Sequence, residues 1–154
     1  MIFKYLRDFP EEIVFFEQGR KYKLGTLEFY TPFKNLHSVE TYGVVFKVNA
    51  LKIGVLSDTA YSEELVEAYK SDVLVVNIVF LNKRAEYQHL CVEEAEMLIQ
   101  KMRPRLAVIT HFGMTVLKAG PKSIAEEMTH NTGVNVVAAY DGMMLNLTNL
   151  KEKF

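Results

Sequence analysis

The sequence predicts an α/β domain built on a mixed β-sheet with helices, and three observations carry that expectation. Residues 73–80 form an apolar run without polar alternation, and 106–110 form another, which is how strands covered on both faces read. Helical spacing follows the first of them, most clearly from Val92 to Met102, where Ala95, Leu98, Ile99 and Met102 recur on one side. Short β runs joined by turn residues stand before and after the two strand–helix–strand passes that the pattern shows.

The elements follow in order. Residues 1–12 have no clear period and form an unassigned lead-in. An apolar run at 13–16 leads through Glu17-Gln18-Gly19-Arg20, a turn, into a β run at 22–24. Gly25-Thr26 then turns the chain into Leu27-Glu28-Phe29-Tyr30-Thr31, a half-buried strand broken by Pro32. A loop at 34–38 delivers His37 to a strand over 42–48. Asn49-Ala50-Leu51 is short enough for a hairpin connection to a strand from Lys52 to Leu56, which ends in Ser57-Asp58-Thr59.

Ser62 is placed to cap a helix reaching about Tyr69, with Glu64 and Glu67 in water and Leu65 and Ala68 inward. A polar loop at 82–88 precedes the Val92–Met102 helix, and Pro104 ends it. A third helix starts near Lys122, with Pro121 suited to its first turn, and stops before Gly133. Runs at 134–139 and 143–147 flank Tyr140-Asp141-Gly142, an Asp-Gly hairpin signal. Residues 149–154 are polar enough to fray, and 1–154 reads as a single domain.

Composition narrows the function classes. The net charge is -1, with 49% hydrophobic and 24% charged residues, so no global pull toward nucleic acid or anionic lipid exists. Lys101, Arg103 and Arg105 read as a solvated helix end. The single cysteine, Cys91, forms no internal disulfide, has apolar neighbours and reads as a buried structural thiol. No apolar run approaches the roughly 20 residues that span a bilayer, and no leader pattern opens the chain. A cytoplasmic protein that does not enter the membrane is expected. Gly-x-Ser-x-Gly, Gly-x-x-x-x-Gly-Lys and Gly-x-Gly-x-x-Gly are all missing, which removes support for serine-hydrolase, kinase and dehydrogenase chemistry.

Polar residues sit where apolar strands end. Asp58 follows Gly54-Val55-Leu56-Ser57, at the carboxyl edge where open α/β sheets bind ligands; equally, its oxygens suit the backbone of Ala60 or Tyr61 as a cap. His111 follows an apolar strand, with Gly113 leaving backbone room beside it. Asp58 and His111 end what read as neighbouring strands, and imidazole with carboxylate is a common set for zinc, manganese or iron. His37 adds a third potential ligand. His89 stands just before a helix, placed either as a proton donor or in capping and loop packing. His130, late in the third helix, suits the helix dipole and receives no chemistry.

Together these residues resemble the metallo-β-lactamase-fold metallohydrolases, in particular the ribonuclease Z-like branch. His37 with Glu40-Thr41-Tyr42-Gly43, Ser57-Asp58-Thr59, and Ile109-Thr110-His111-Phe112-Gly113 are similar to that family's third, fourth and fifth metal motifs. His89-Leu90-Cys91-Val92-Glu93-Glu94-Ala95 resembles its helix-opening His segment. The resemblance covers roughly residues 22–147 and rests on the order of the motifs. It implies metal ligation by His37, Asp58 and His111, catalytic roles for Asp58 and His89, zinc or manganese as cofactor, and a phosphodiester substrate.

The family's His-x-His-x-Asp-His signature has no counterpart here, and no histidine precedes His37. The chain therefore resembles only the carboxyl-terminal half of an αββα sandwich. The expectation is a metal-dependent hydrolase homologue that is inactive or partner-dependent alone, its inner sheet face covered by a second copy, as a homodimer, or by a separate amino-terminal half. The alternatives are a truncated, non-enzymatic homologue serving assembly or regulation, and a metal-free α/β module that binds a small molecule.

Overall fold

The computed structural model describes residues 4–147 and Leu150. Among the described residues the lead-in holds one 3-10 turn, Lys4–Leu6, and no further regular element before the first strand. The turn expected at 17–20 is present, with the Arg20 amide donating to Glu17 O at 3.2 Å. Two hairpins follow. β1 (Lys21–Leu24) pairs with β2 (Leu27–Tyr30), and β3 (Val44–Val48) pairs with β4 (Leu51–Leu56), both antiparallel. Val48 faces Leu51, so Asn49-Ala50 alone makes the second turn, and Asn49 takes the left-handed φ of 56° that its side chain tolerates.

Pairing changes direction at β4. β5 (Val73–Asn77), β6 (Leu106–Thr110) and β7 (Val136–Ala138) add in parallel, completing a sheet of seven strands in chain order, β1 to β7. Each parallel step needs a crossover, and these are supplied by α1 (Glu64–Tyr69), α2 (Val92–Met102), and the pair α3 (Met114–Ala119) and α4 (Pro121–Thr132). Successive strands add on the same side and such crossovers are right-handed, so the helices fall on one face. There Leu65, Tyr69, Leu98, Ile99 and Met128 close over Val45, Leu56, Leu74, Val76 and Ile109 in one core. Each such side chain stabilises the fold by about 1.5–3 kcal/mol through removal from water.

The opposite face carries a smaller cluster of Ile53, Val73, Leu106 and Val108. Leu147 and Leu150 pack against it, while Phe46, Val75 and Val137 remain only partly buried. Ile53, Val73 and Leu106 are register neighbours at the end of the sheet where β5 and β6 begin.

Several expectations are corrected. There are three strand–helix–strand passes, because β7 pairs parallel to β6. The Asp-Gly turn forms, with Met143 N donating to Tyr140 O at 3.0 Å, but residues 143–147 make no return strand and instead lead to the second face. β5 ends at Asn77, and beyond it Phe80 makes a single bridge to Cys91. Helix α1 starts at Glu64 without a side-chain cap, so Ser62 does not have the role assigned to it. Helix α3 was not expected; six residues behind a glycine N-cap show too little period to detect. The frayed tail expected at 149–154 lies outside the described residues apart from Leu150. Among the described residues no helix is long and apolar enough to cross a membrane.

Candidate metal centre

The carboxyl ends of β4, β5 and β6 meet at one edge, and the polar residues singled out above gather there. Asp58 leaves β4 by two residues, and its neighbour Thr59, fully buried, ties the turn to the preceding loop: Leu36 N–H donates to Thr59 Oγ1 at 3.0 Å, and Ala60 N–H donates to Leu36 O at 2.8 Å. That stitch sets His37 beside Asp58. Thr41 Oγ1 lies 3.3 Å from His37 Nδ1 and itself donates to Val39 O at 2.9 Å. An Nδ1–H directed at that hydroxyl leaves Nε2 free as a ligand atom. The Val39 amide is also 3.3 Å from Nδ1, so the ring has a partner in either tautomer.

His89 does not lie on α2 but just ahead of it. The Val79 and Phe80 amides donate to Leu90 O at 3.2 and 3.4 Å, and the Val92 amide donates to Phe80 O at 3.1 Å, clamping the segment alongside the end of β5. The His37 and His89 rings meet edge to face, 5.0 Å between centroids. His89 Nδ1 is 3.7 Å from Asp58 Oδ1. It is buried and has no hydrogen-bond partner among the described residues. Burial pushes this imidazole below its ordinary value; Asp58 opposes that, while His37 and His111 add to it. At neutral pH the ring is therefore uncharged, the form in which histidine binds a metal.

His111 is the first residue after β6 and adopts φ 60°, a left-handed conformation that costs a non-glycine residue about 1–2 kcal/mol. Strain of this kind persists where surrounding structure over-determines it, commonly at functional sites. Here the Ile78 amide donates to Thr110 O at 2.8 Å on one side, and Gly113 N–H donates to Val79 O at 3.1 Å on the other. His111 Nε2 lies 3.5 Å from Asp58 Oδ2, with the side chain 56% exposed. The two carboxylate oxygens thus face different histidines, Oδ1 toward His89 and Oδ2 toward His111.

Ligand atoms of His37, Asp58 and His89 all lie within 4.8 Å of one another. A carboxylate with imidazoles, one of them carrying an unpaired buried nitrogen, is a donor set that suits a borderline divalent cation such as zinc or manganese. The residues present therefore fit such an ion.

All four residues singled out in the sequence converge, with one correction of layout: β5 lies between β4 and β6, so Asp58 and His111 do not end adjacent strands. The intervening strand supplies a residue that sequence reading missed. Asn77 ends β5 and donates from Nδ2 to Asp58 Oδ1 at 2.9 Å. Its signal was available, since Asn77 is the lone polar residue in the apolar run 73–80. Cys91 is buried as expected, its thiol pushed up by burial, and it forms a capping box with Glu94 at the start of α2.

A mixed sheet with helices on one face and a His–Asp cluster on its carboxyl edge agrees with the resemblance to the metallo-β-lactamase fold. The profile of the beta-lactamase superfamily domain matches residues 3–112, and the chain belongs to this superfamily. An uncharacterized protein of Methanocaldococcus jannaschii is 31% identical over 120 residues, covering 75% of this chain and 44% of that protein. The metallo-beta-lactamase fold protein YhfI from Bacillus subtilis superposes with a TM-score of 0.72 at 15% identity, over 83% of this chain and 53% of its own. A metallo hydrolase, Igni18 of Ignicoccus hospitalis, gives 0.66 at 16% identity over 84% and 58%. The short form of human tRNase Z gives 0.58 at 17% identity over 81% and 45%. The chain spans less than half the length of the archaeal relative and about half of these three structures.

Proposed function

We propose that this chain is a metal-dependent hydrolase homologue of the ribonuclease Z-like kind, acting on phosphodiesters and contributing the carboxyl-terminal portion of a composite site. The observation that carries this reading is the convergence of His37, Asp58 and His89 within 4.8 Å, with His111 on the other oxygen of Asp58. His37, Asp58 and His111 are the proposed ligands of zinc or manganese. When bound, such an ion supplies Lewis acidity, polarising the phosphoryl oxygen and acidifying water. Asp58 presents one oxygen to each side of the site, and Asn77 holds the first of them in place. His89, next to Asp58 and walled by Phe80, with 5.9 Å between ring centroids, is placed to hand a proton to the leaving oxygen when in its charged form, which Asp58 favours and burial opposes. A second reading makes His89 a ligand, favoured by its uncharged ring and its unpaired Nδ1.

Metal content decides between them. The wild-type chain is expected to take up zinc or manganese at neutral pH, Asp58→Ala to lose it and His111→Ala to bind less. Retention by His89→Ala supports the proton role, and loss places His89 among the ligands. A wild-type chain that takes up neither metal even when the part of the site it lacks is supplied overturns the proposal.

The same reading asks for a partner. Three side chains hold an ion weakly, and the second sheet face leaves Phe46, Val75 and Val137 incompletely covered. Exposing apolar surface costs roughly 25 cal/mol per Å². Phe9 and Phe15, 81% and 79% exposed, add apolar surface ahead of β1. A second copy of the chain, or a separate amino-terminal half, covers this face. Sedimentation at micromolar concentration is expected to show the assembled species in the first case; a monomer that stays unassociated when the amino-terminal half is supplied speaks against both.

A further inference from the structure

Asn35 is 4% exposed, and its backbone N–H and both ends of its side-chain amide are engaged around the site. Its Nδ2 donates to Ser57 O at 3.3 Å, Ser57 Oγ at 3.1 Å and Asp58 O at 3.1 Å. The Ser57 hydroxyl donates onward to Tyr42 O at 2.9 Å, which leaves its oxygen free to accept from Asn35. The Asn35 amide nitrogen donates to Thr41 O at 2.9 Å, closing the loop that carries His37. At the other end of the side chain, Oδ1 accepts from the Tyr69 hydroxyl at 3.1 Å, and that hydroxyl accepts from Gly43 N–H at 3.0 Å.

The two ends of the side chain together give the Asn35 amide one orientation. A flipped amide would set its carbonyl oxygen against the carbonyls of Ser57 and Asp58 and would take from the Tyr69 hydroxyl its nearer acceptor, leaving that proton only Phe33 O at 3.4 Å. An apolar side chain at position 35 would leave those part-buried acceptors short of partners. Tyr69 belongs to α1 on the helix face, whereas the residues it reaches lie at the sheet edge, so the link runs from the packed core to the site.

We propose that Tyr69 and Asn35 are a positioning pair: Tyr69 fixes the Asn35 amide, and Asn35 locks the His37 loop to the Ser57-Asp58 turn so that both ligand side chains stay within reach of one divalent cation. The inference rests on the reading of His37 and Asp58 as ligands. Metal sites tolerate misplacement of only about 0.5 Å, and loss of an outer supporting group commonly costs about 10–100-fold in metal affinity.

The test compares Asn35→Ala and Tyr69→Phe with Leu98→Ala, a core truncation on α2 away from the site. Amide order from nitrogen-15 relaxation in metal-free protein is read beside cobalt(II) affinity, followed by visible absorption, and thermal melting. Both site variants are expected to lose order at residues 37–39 and 57–60 and to weaken cobalt binding at least about tenfold. Leu98→Ala is expected to melt earlier with both readouts unchanged. Unaltered order at 57–60 in the two variants overturns the proposal even where cobalt binding falls, and an equal loss in Leu98→Ala overturns it as well. Order lost in the variants while the wild-type chain binds no cobalt sinks the metal reading and upholds the positioning role.

Discussion

Gly113→Ala is expected to lower the melting temperature by about 6–12 °C and to separate His111 from Asp58 while leaving the His37–His89 contact in place. The reason is clearance, since a Cβ on Gly113 would stand 2.2 Å from Val79 O and 3.3 Å from Val79 Cγ1. The obstacle is a backbone carbonyl, which cannot rotate away as the end of a long side chain can. That carbonyl also accepts the Gly113 N–H at 3.1 Å, so relief of the clash breaks the bond. Overpacking of a tight site costs about 1–3 kcal/mol and a lost hydrogen bond about 1 kcal/mol. About 3 kcal/mol in a domain of this size corresponds to the stated shift. His111 is two residues from the displaced backbone and is already held at φ 60°. Proton NMR of the histidine rings checks the split: contacts between His37 and His89 persist and the His111 environment changes. A variant with wild-type melting and unchanged His111 would show that this turn yields without consequence.

The contrast between what the sequence disclosed and what it hid follows from the range of the forces involved. Helix α2 runs from Val92 to Met102 as expected, because its apolar spacing, its Glu94 capping partner and Pro104 are all local signals. Strand β6 likewise matches at both ends. The end of β5 was hidden, since Ile78 continues the apolar run and its amide still donates to Thr110 O, although the paired register stops at Asn77 and Thr110. The Asp-Gly turn was correctly located, but whether a strand returns along β7 depends on what residues 143–147 meet elsewhere. They lead to Leu147 on the second face, a long-range preference that no local pattern encodes.

The site divides in the same way. The order of His37, Asp58, His89 and His111 was legible because each follows or precedes an apolar element. Their convergence was not, because it depends on side chains with no chemistry of their own in the sequence. Thr59 stitches the His37 loop to the Asp58 turn, Asn77 reaches Asp58 from an intervening strand, and Asn35 anchors both loops. Small polar residues in loops are common enough that none of them stands out until the backbone places them.

Gly43→Ala is expected to be the most destabilising single methyl addition in the chain, about 3–5 kcal/mol by urea unfolding, with loss of cobalt binding as a secondary effect. A Cβ there would lie 2.4 Å from Val55 O and 2.6 Å from Tyr69 Oη. The first contact lies across the β3–β4 pair, where Val44 faces Val55 in register. The second is the hydroxyl that orients Asn35, so the chain must either push β3 and β4 apart or expel the tyrosine from its pocket. Expulsion has a signature. Burial pushes the Tyr69 hydroxyl up to about 12 from 10. A folded value above the unfolded one means that this group's contribution is fully present below pH about 10 and is lost as pH rises through about 12. In the wild-type protein one tyrosine should therefore ionise late, together with alkaline unfolding. In Gly43→Ala, expulsion into water would return that tyrosine to the ordinary range, visible as tyrosinate absorption near pH 10 before unfolding. A late tyrosine that persists in the variant places the strain in the strand pair instead, and a cost below about 1 kcal/mol would refute the clearance argument altogether.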